Sequence, residues 1–179
     1  MPLLKATLRK GALTTDQKLA LADALTDIIL EGEVGHVSDS GRRVAHVVFH
    51  EIDGDTNWFV GGEPAGGTPA PGLMIFEVVY PEAATDAAGR AWLHREINAA
   101  AVRIVLGPDA PANGLANWVH VREVPQGSWG VRGKTIGIHD IASGPEVPPE
   151  RLAFADAWLE AGRRLRAAYG FPTAITPLG

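Results

Sequence analysis

Pro2-Leu3-Leu4-Lys5-Ala6-Thr7-Leu8-Arg9-Lys10-Gly11-Ala12-Leu13-Thr14-Thr15-Asp16-Gln17-Lys18 is the stretch on which the fold turns. Pro2 to Arg9 is an apolar-rich run of strand length, Lys10-Gly11 breaks it, and Thr14-Thr15-Asp16-Gln17 has the spacing of a capping box. Leu21, Leu25, Ile28 and Ile29 then recur at helical intervals to about Leu30. Glu31 to Gly41, rich in Gly, Ser and Asp, reads as a loop. Arg43 to Glu51 alternates between two faces, with Ala45, Val47 and Phe49 on one and His46, Val48 and His50 on the other. A strand, helix and strand of this length close as a right-handed crossover with parallel strands, which predicts one β-α-β layer.

The same order returns further on. Gly72 to Tyr80 is a second apolar strand, and Thr85-Asp86 caps a helix striped by Trp92, Leu93, Ile97, Ala101 and Ile104. Asn117 to Val124 is again an alternating strand. Each half closes with a glycine-bracketed aromatic, Asn57-Trp58-Phe59-Val60-Gly61-Gly62 and Ser128-Trp129-Gly130-Val131-Arg132-Gly133. The two Thr-Asp pairs lie 70 residues apart and the two tryptophans 71, a regularity that argues duplication of one β-α-β-hairpin unit. The organisation expected is therefore one domain over residues 1–142, made of repeats 1–63 and 72–142 with a Gly/Pro-rich linker at 64–71. Residues 143–179 form a C-terminal extension, in which Pro148 and Pro149 start an amphipathic helix bearing Phe154, Trp158, Leu165 and Tyr169 and ending at Gly170. That aromatic stripe reads as core or interface packing.

Composition narrows the function. The 21 acidic residues outnumber 16 basic ones and no basic run occurs, so nucleic acid is not an expected partner. Without cysteine there is neither a disulfide nor thiol chemistry, and the histidines His36, His94 and His139 have no ligand spacing with carboxylates, so no metal and no cofactor are expected. No stretch has the length of a membrane span or the layout of a signal peptide, and a cytoplasmic protein without membrane contact is the default expectation.

Pro2 offers the most direct chemistry. A small second residue allows trimming of Met1, leaving proline as a free secondary amine at a structured position. A free α-amino group titrates at roughly 7.7 to 8.0, and burial or one cation makes it largely neutral at physiological pH, a ready base.

Met1-Pro2 leading into a strand, Thr-Asp-Gln-Lys opening the first helix, and the hairpin Trp58-Phe59-Val60-Gly61-Gly62-Glu63 together resemble the tautomerase superfamily. That superfamily includes 4-oxalocrotonate tautomerase, and its longer members fuse two β-α-β units. The resemblance covers about Pro2 to Ala142 and implies an α+β fold with a C-terminal helix added and homotrimeric assembly. It also implies a general-base proline that moves a proton between carbon and oxygen of an enol or dienol acid, or a general-acid proline in relatives that hydrate or dehalogenate. The internal second half supplies no free imino terminus, so one site per chain follows.

The departures from that pattern matter. An arginine of the bacterial tautomerase falls at Ala12 or Leu13 here, and a second falls at His46, or at Trp118 in the second half. The arginine pair and helix histidine of the cis-3-chloroacrylic acid dehalogenase branch fall on the Pro81 to Thr85 turn and Ile29, which disfavours dehalogenation. Trp58 keeps the pocket aromatic that depresses the proline's pKa.

The substrate expected is a small anionic organic acid. Trp118, His120 and Arg122 share one strand face, and Arg132 and Lys134 flank the second hairpin. The planar fork of arginine suits a carboxylate, so Arg122 and Arg132 join His46 and Trp58 as substrate-binding candidates beside Pro2. Each has a plainer rival: salt-bridged surface groups for the arginines, a packed or interface histidine, a hairpin aromatic. Glu51 and Glu123 are the nominees for a water-activating carboxylate in a hydratase-like alternative. A catalytically silent trimeric scaffold stays open because both family arginines are replaced.

Overall fold

Two turns of chain chemistry start the two helices that pack on the sheet. Thr14 accepts from the Gln17 backbone N–H at 3.2 Å while the Gln17 side chain accepts from the Thr14 N–H at 3.0 Å, the reciprocal box expected. Asp86 caps the second helix through the Gly89 N–H at 2.7 Å. The computed structural model describes residues 2–67, 73–142 and 147–171. Strand β1 (Leu3–Arg9) leads into helix α1 (Thr15–Val34), the short α2 (Asp39–Arg42) and β2 (His46–Ile52). A hairpin β3 (Phe59–Val60) and β4 (Glu63–Pro64) closes the first unit. The second unit runs β5 (Met74–Pro81), α3 (Ala87–Leu106), β6 (Asn117–Val124) and the hairpin β7 (Trp129–Val131) and β8 (Lys134–Ile136). Helices α4 (Ile138–Ala142) and α5 (Pro149–Ala168) follow.

The four long strands form one sheet in the order β2-β1-β5-β6. Within each unit the pair is parallel, and β1 and β5 meet antiparallel, so the units are related head to tail across the centre of the sheet. One face is covered by α1 and α3. Leu4, Ala6 and Leu8 from β1 and Phe76, Val78 and Tyr80 from β5 pack there against Leu21, Leu25 and Ile29 of α1 and Leu93, Ile97 and Ala101 of α3. Each large apolar side chain so removed from water contributes about 1.5–3 kcal/mol. The other face is open, and register places three rows across it: His46, Leu3, Val79 and Arg122; Val48, Lys5, Glu77 and His120; His50, Thr7, Ile75 and Trp118.

Four readings need correction. Helix α1 continues past Leu30 to Val34, because Gly32 stands where Tyr80 crosses: a Cβ there would lie 2.5 Å from the Tyr80 hydroxyl oxygen. The helix ends at Gly35, whose φ of 86° is the left-handed cap that glycine adopts freely. Glu63 and Pro64, assigned to the linker's edge, pair with Val60 and Phe59, and 68–72 of that linker lie outside the described residues. Helix α2 begins inside the stretch Glu31 to Gly41 that was expected to be loop. The stripe of α5 is not core: Phe154, Trp158, Leu165 and Tyr169 are all exposed, and Ala155 alone of that helix is fully buried. No helix among the described residues is long and apolar enough to cross a membrane.

Candidate functional site

Pro2 is buried at the head of β1, with its carbonyl accepting the His46 N–H at 3.0 Å. It precedes the Leu3–Val79 pair of the ladder, and strand alternation puts it on the same side as Leu4, the helix-covered side of the sheet. The Tyr80 hydroxyl donates to the Ile29 carbonyl at 2.7 Å inside the core. Burial, reinforced by the neighbouring Glu33 charge, pushes the Tyr80 phenol well above its ordinary range, so it stays a neutral donor.

Glu33 is the charged side chain that sequence reasoning missed. It is 4% exposed, and the only other buried polar residue among those described is Thr85. Burial raises its carboxyl, and the charge and hydrogen bond of the chain's amino group act in the opposite direction. The signal was available: Leu21, Leu25, Ile29 and Glu33 follow at intervals of four, so Glu33 continues the buried stripe of α1. Arg151 of α5 reaches over the same end of α1 and donates to the Gly32 carbonyl at 2.9 Å, supplying the cation that the last turn of α1 lacks. Glu33, Ala83, Ile138, Arg151 and Ala155 line a cavity of about 10 Å³ beneath α5, room for about one water.

His46 and Arg122 lie in one row of the open face at this same end of the sheet. Three strand spacings separate their backbones, about 14 Å. Both are exposed, and Arg122 stands 3.9 Å from Glu77. The β7-β8 hairpin springs from the same end, where Gln126 holds Glu82 and accepts from the Ile138 N–H. Arg132 sits at its tip with φ of 53°, followed by Gly133 at 76°. The matching tip of the first hairpin uses Gly61 and Gly62. Trp58 goes elsewhere. Its hairpin is anchored through Gly66 to Gly54 and to Arg9, at the far end of β1 and about 23 Å from Pro2 along the strand.

The two nominated water-activating carboxylates are engaged. Glu51 accepts from the Gly11 N–H at 2.9 Å and pairs with Lys18 at 2.8 Å, and Glu123 pairs with Arg90 at 3.0 Å. A larger hollow of about 440 Å³ lies beside α5 between Glu82, Gln126, His139, Asp156, Arg163 and Arg166. His139 is paired there with Asp156 at 2.8 Å. No cluster of three or more His, Cys, Asp or Glu suited to a metal occurs among the described residues.

Comparison with solved structures gives matches of low identity and consistent shape. A native fused 4-OT superposes with a TM-score of 0.60 at 19% identity, over 74% of this chain and 94% of that one. N1, a member of the cis-3-chloroacrylic acid dehalogenase family, gives 0.60 at 19%, over 84% and 94%. Q0, a fused 4-OT seen as a symmetric trimer, gives 0.57 at 20%, over 80% and 99%. No family model matches the sequence. No curated protein matches it either.

Proposed function

Starting from a chain that has the tautomerase superfamily fold with two fused units, we propose that it is a cofactor-independent tautomerase of a small unsaturated or 2-keto carboxylic acid. Pro2, freed by removal of Met1, is the general base. The observation that carries this reading is the burial of Pro2 at the head of a central strand, shielded from bulk water yet one backbone step from the open face. A positioned acid-base group contributes about 10² to 10⁴-fold in rate. His46, Arg122 and Arg132, all at that end of the sheet, hold the carboxylate and the developing enolate.

The working unit in this reading is a homotrimer. Hairpins of two or three residues per strand are marginal alone, and among the described residues neither hairpin joins the four-stranded sheet and nothing pairs with the outer edges of β2 and β6. Pairing of hairpin to neighbouring edge closes a ring, and Trp58 then dries the pocket of a neighbouring copy.

A second reading, in which Pro2 works protonated as the general acid of a hydratase-like reaction, is favoured by the carboxylate of Glu33 near the amino terminus. Intact-mass spectrometry reads whether Met1 is removed, and retention ends both readings. Ketonisation of phenylenolpyruvate or 2-hydroxymuconate should be measurable and should fall about 10² to 10⁴-fold in Pro2→Ala. Activity unchanged by that substitution refutes the role of Pro2. Absence of turnover of any enol acid leaves a silent trimeric scaffold.

A further inference from the structure

We propose that α5 is a docking surface for the α5 of a second copy of this chain, the two helices lying antiparallel about a two-fold axis between Ala161 and Gly162. The inference is independent of the catalytic reading of Pro2 and starts from how α5 leaves the body. Its first half is anchored, with Ala155 buried, Leu159 packed against the core and Arg151 bonded to the Gly32 carbonyl. Every residue from Arg163 to Phe171 is exposed, so the second half projects from the protomer. A stretch of about two turns is marginal as a helix in water unless an apolar face of it is packed. That face is present: Phe154, Trp158, Leu165 and Tyr169 are 37%, 50%, 60% and 75% exposed. Together with Ala161 and Gly162 they fall within about 100° of the helix circumference.

The stripe is symmetric about its middle. Counting outward from the Ala161–Gly162 bond, Trp158 and Leu165 stand fourth on either side, and Phe154 and Tyr169 eighth. A two-fold contact needs this arrangement, because in it residue i meets j and j meets i. Two antiparallel helices in that register set Phe154 against Tyr169 and Trp158 against Leu165, twice each, while Ala161 and Gly162 let the backbones approach at the centre. Charge selects the antiparallel sense. Glu150 and Asp156 lie in the anchored half, Arg163, Arg164 and Arg166 in the projecting half, and Glu160, which bridges to Arg163 and Arg164, offsets only part of that basic excess. Antiparallel helices set the acidic half beside the basic half with opposed dipoles, whereas parallel ones stack arginines on arginines. The body also offers Tyr169 of the second copy a seat. Beside Phe154 lies a hollow of about 300 Å³ lined by Thr85, Asp86, Gly89, Glu150 and Arg151. A phenol brings an apolar ring to Phe154 and a hydroxyl to those polar groups. These contacts bury roughly 1,000 Å² over both copies, the low end for a specific contact, so pairing follows protein concentration. Where chains assemble as rings of three, a two-fold pairing joins chains of different rings.

The chain has no cysteine, so single introduced thiols report the register. Along the paired helices the two thiols of Ala161→Cys lie one residue apart, about 1.5 Å, and those of Ala168→Cys about 20 Å, beyond the reach of a disulfide. Mild oxidation of the concentrated full-length protein should give a two-chain band on a denaturing gel for Ala161→Cys and none for Ala168→Cys. Adding Leu165→Asp to Ala161→Cys should lower the yield about tenfold while the protein stays folded by circular dichroism, since Leu165 is exposed. Light scattering should read the same mass for wild type and Leu165→Asp in dilute solution, and only wild type should climb toward twice that mass as concentration rises. A band from Ala168→Cys equal to that from Ala161→Cys overturns the antiparallel register. No band from Ala161→Cys, or a yield that Leu165→Asp leaves unchanged, overturns the pairing. So does a band that forms only after deletion of residues 172–179, the result expected if the chain's own tail took the stripe.

Discussion

Burial lifts the Glu33 carboxyl above its ordinary 4.5 despite the opposing charge of the amino group. A carboxyl raised on folding favours the folded state fully below the unfolded value, and that contribution is lost as pH rises through the folded value. Urea midpoints of wild type should therefore decline relative to Glu33→Gln, which never ionises, as pH rises from the ordinary carboxyl value of 4.5 through the raised folded value. A wild-type curve parallel to that of the variant removes the claim of a penalised charge. Arg132 poses the opposite trade. Its φ of 53° lies where a side chain costs roughly 1–2 kcal/mol, and the corresponding hairpin turn uses glycine at both central positions. Arg132→Gly should stabilise the protein by about 1 kcal/mol in denaturant unfolding, while raising KM for an enol acid because the guanidinium is gone. Higher stability with an unchanged KM would mark Arg132 as a turn residue without a substrate role.

At the level of elements, the strands and the two helices on the sheet were legible because their signals are local: alternation in β2 and β6, caps at Thr14 and Asp86, apolar stripes between. What was not legible depended on contacts between distant segments. Gly32 and Gly35 made the last turn of α1 look like loop, although Gly32 is there to admit Tyr80 from another strand. Misplacing that turn hid Glu33, the one acidic residue of the stripe. The candidates His46 and Arg122 could be assigned to a face from alternation, but their separation could not, since it follows from the strand order β2-β1-β5-β6. Helix α5 was legible as a helix, and of the two readings of its aromatic stripe, core or interface, the exposure of the stripe removes the first. It holds to the body through Ala155, His139 with Asp156, and Arg151 on the end of α1. Arg151→Ala removes a charge-assisted bond to the Gly32 carbonyl and should cost about 1.5–3 kcal/mol in urea unfolding. Arg151→Lys keeps the cation at the helix end and should recover part of the loss. An Arg151→Ala protein as stable as wild type would show that α5 does not brace α1.

For the whole molecule, the positions of the expected site residues decide between a self-sufficient protomer and a ring. Pro2, His46, Arg122 and the base of the Arg132 hairpin share one end of the sheet, and the Trp58 hairpin is anchored at the other. Trp58 therefore serves a Pro2 only if that proline belongs to another copy. Light scattering on the purified protein should give about three times the protomer mass of 18.9 kDa. Val48 and Trp118 are exposed on the open face, 45% and 59%; if the proposed trimer covers that face, Val48→Asp with Trp118→Asp should yield monomers that keep their helical circular dichroism. Complementation then tests the shared site directly. Pro2→Ala and Trp58→Ala chains are each expected to be poorly active alone. Co-expressed in equal amounts, they should form mixed rings in which about a quarter of sites combine an intact Pro2 with an intact neighbouring Trp58, restoring activity in that proportion. If every site used its own chain's tryptophan, no intact combination would form and mixing would recover nothing.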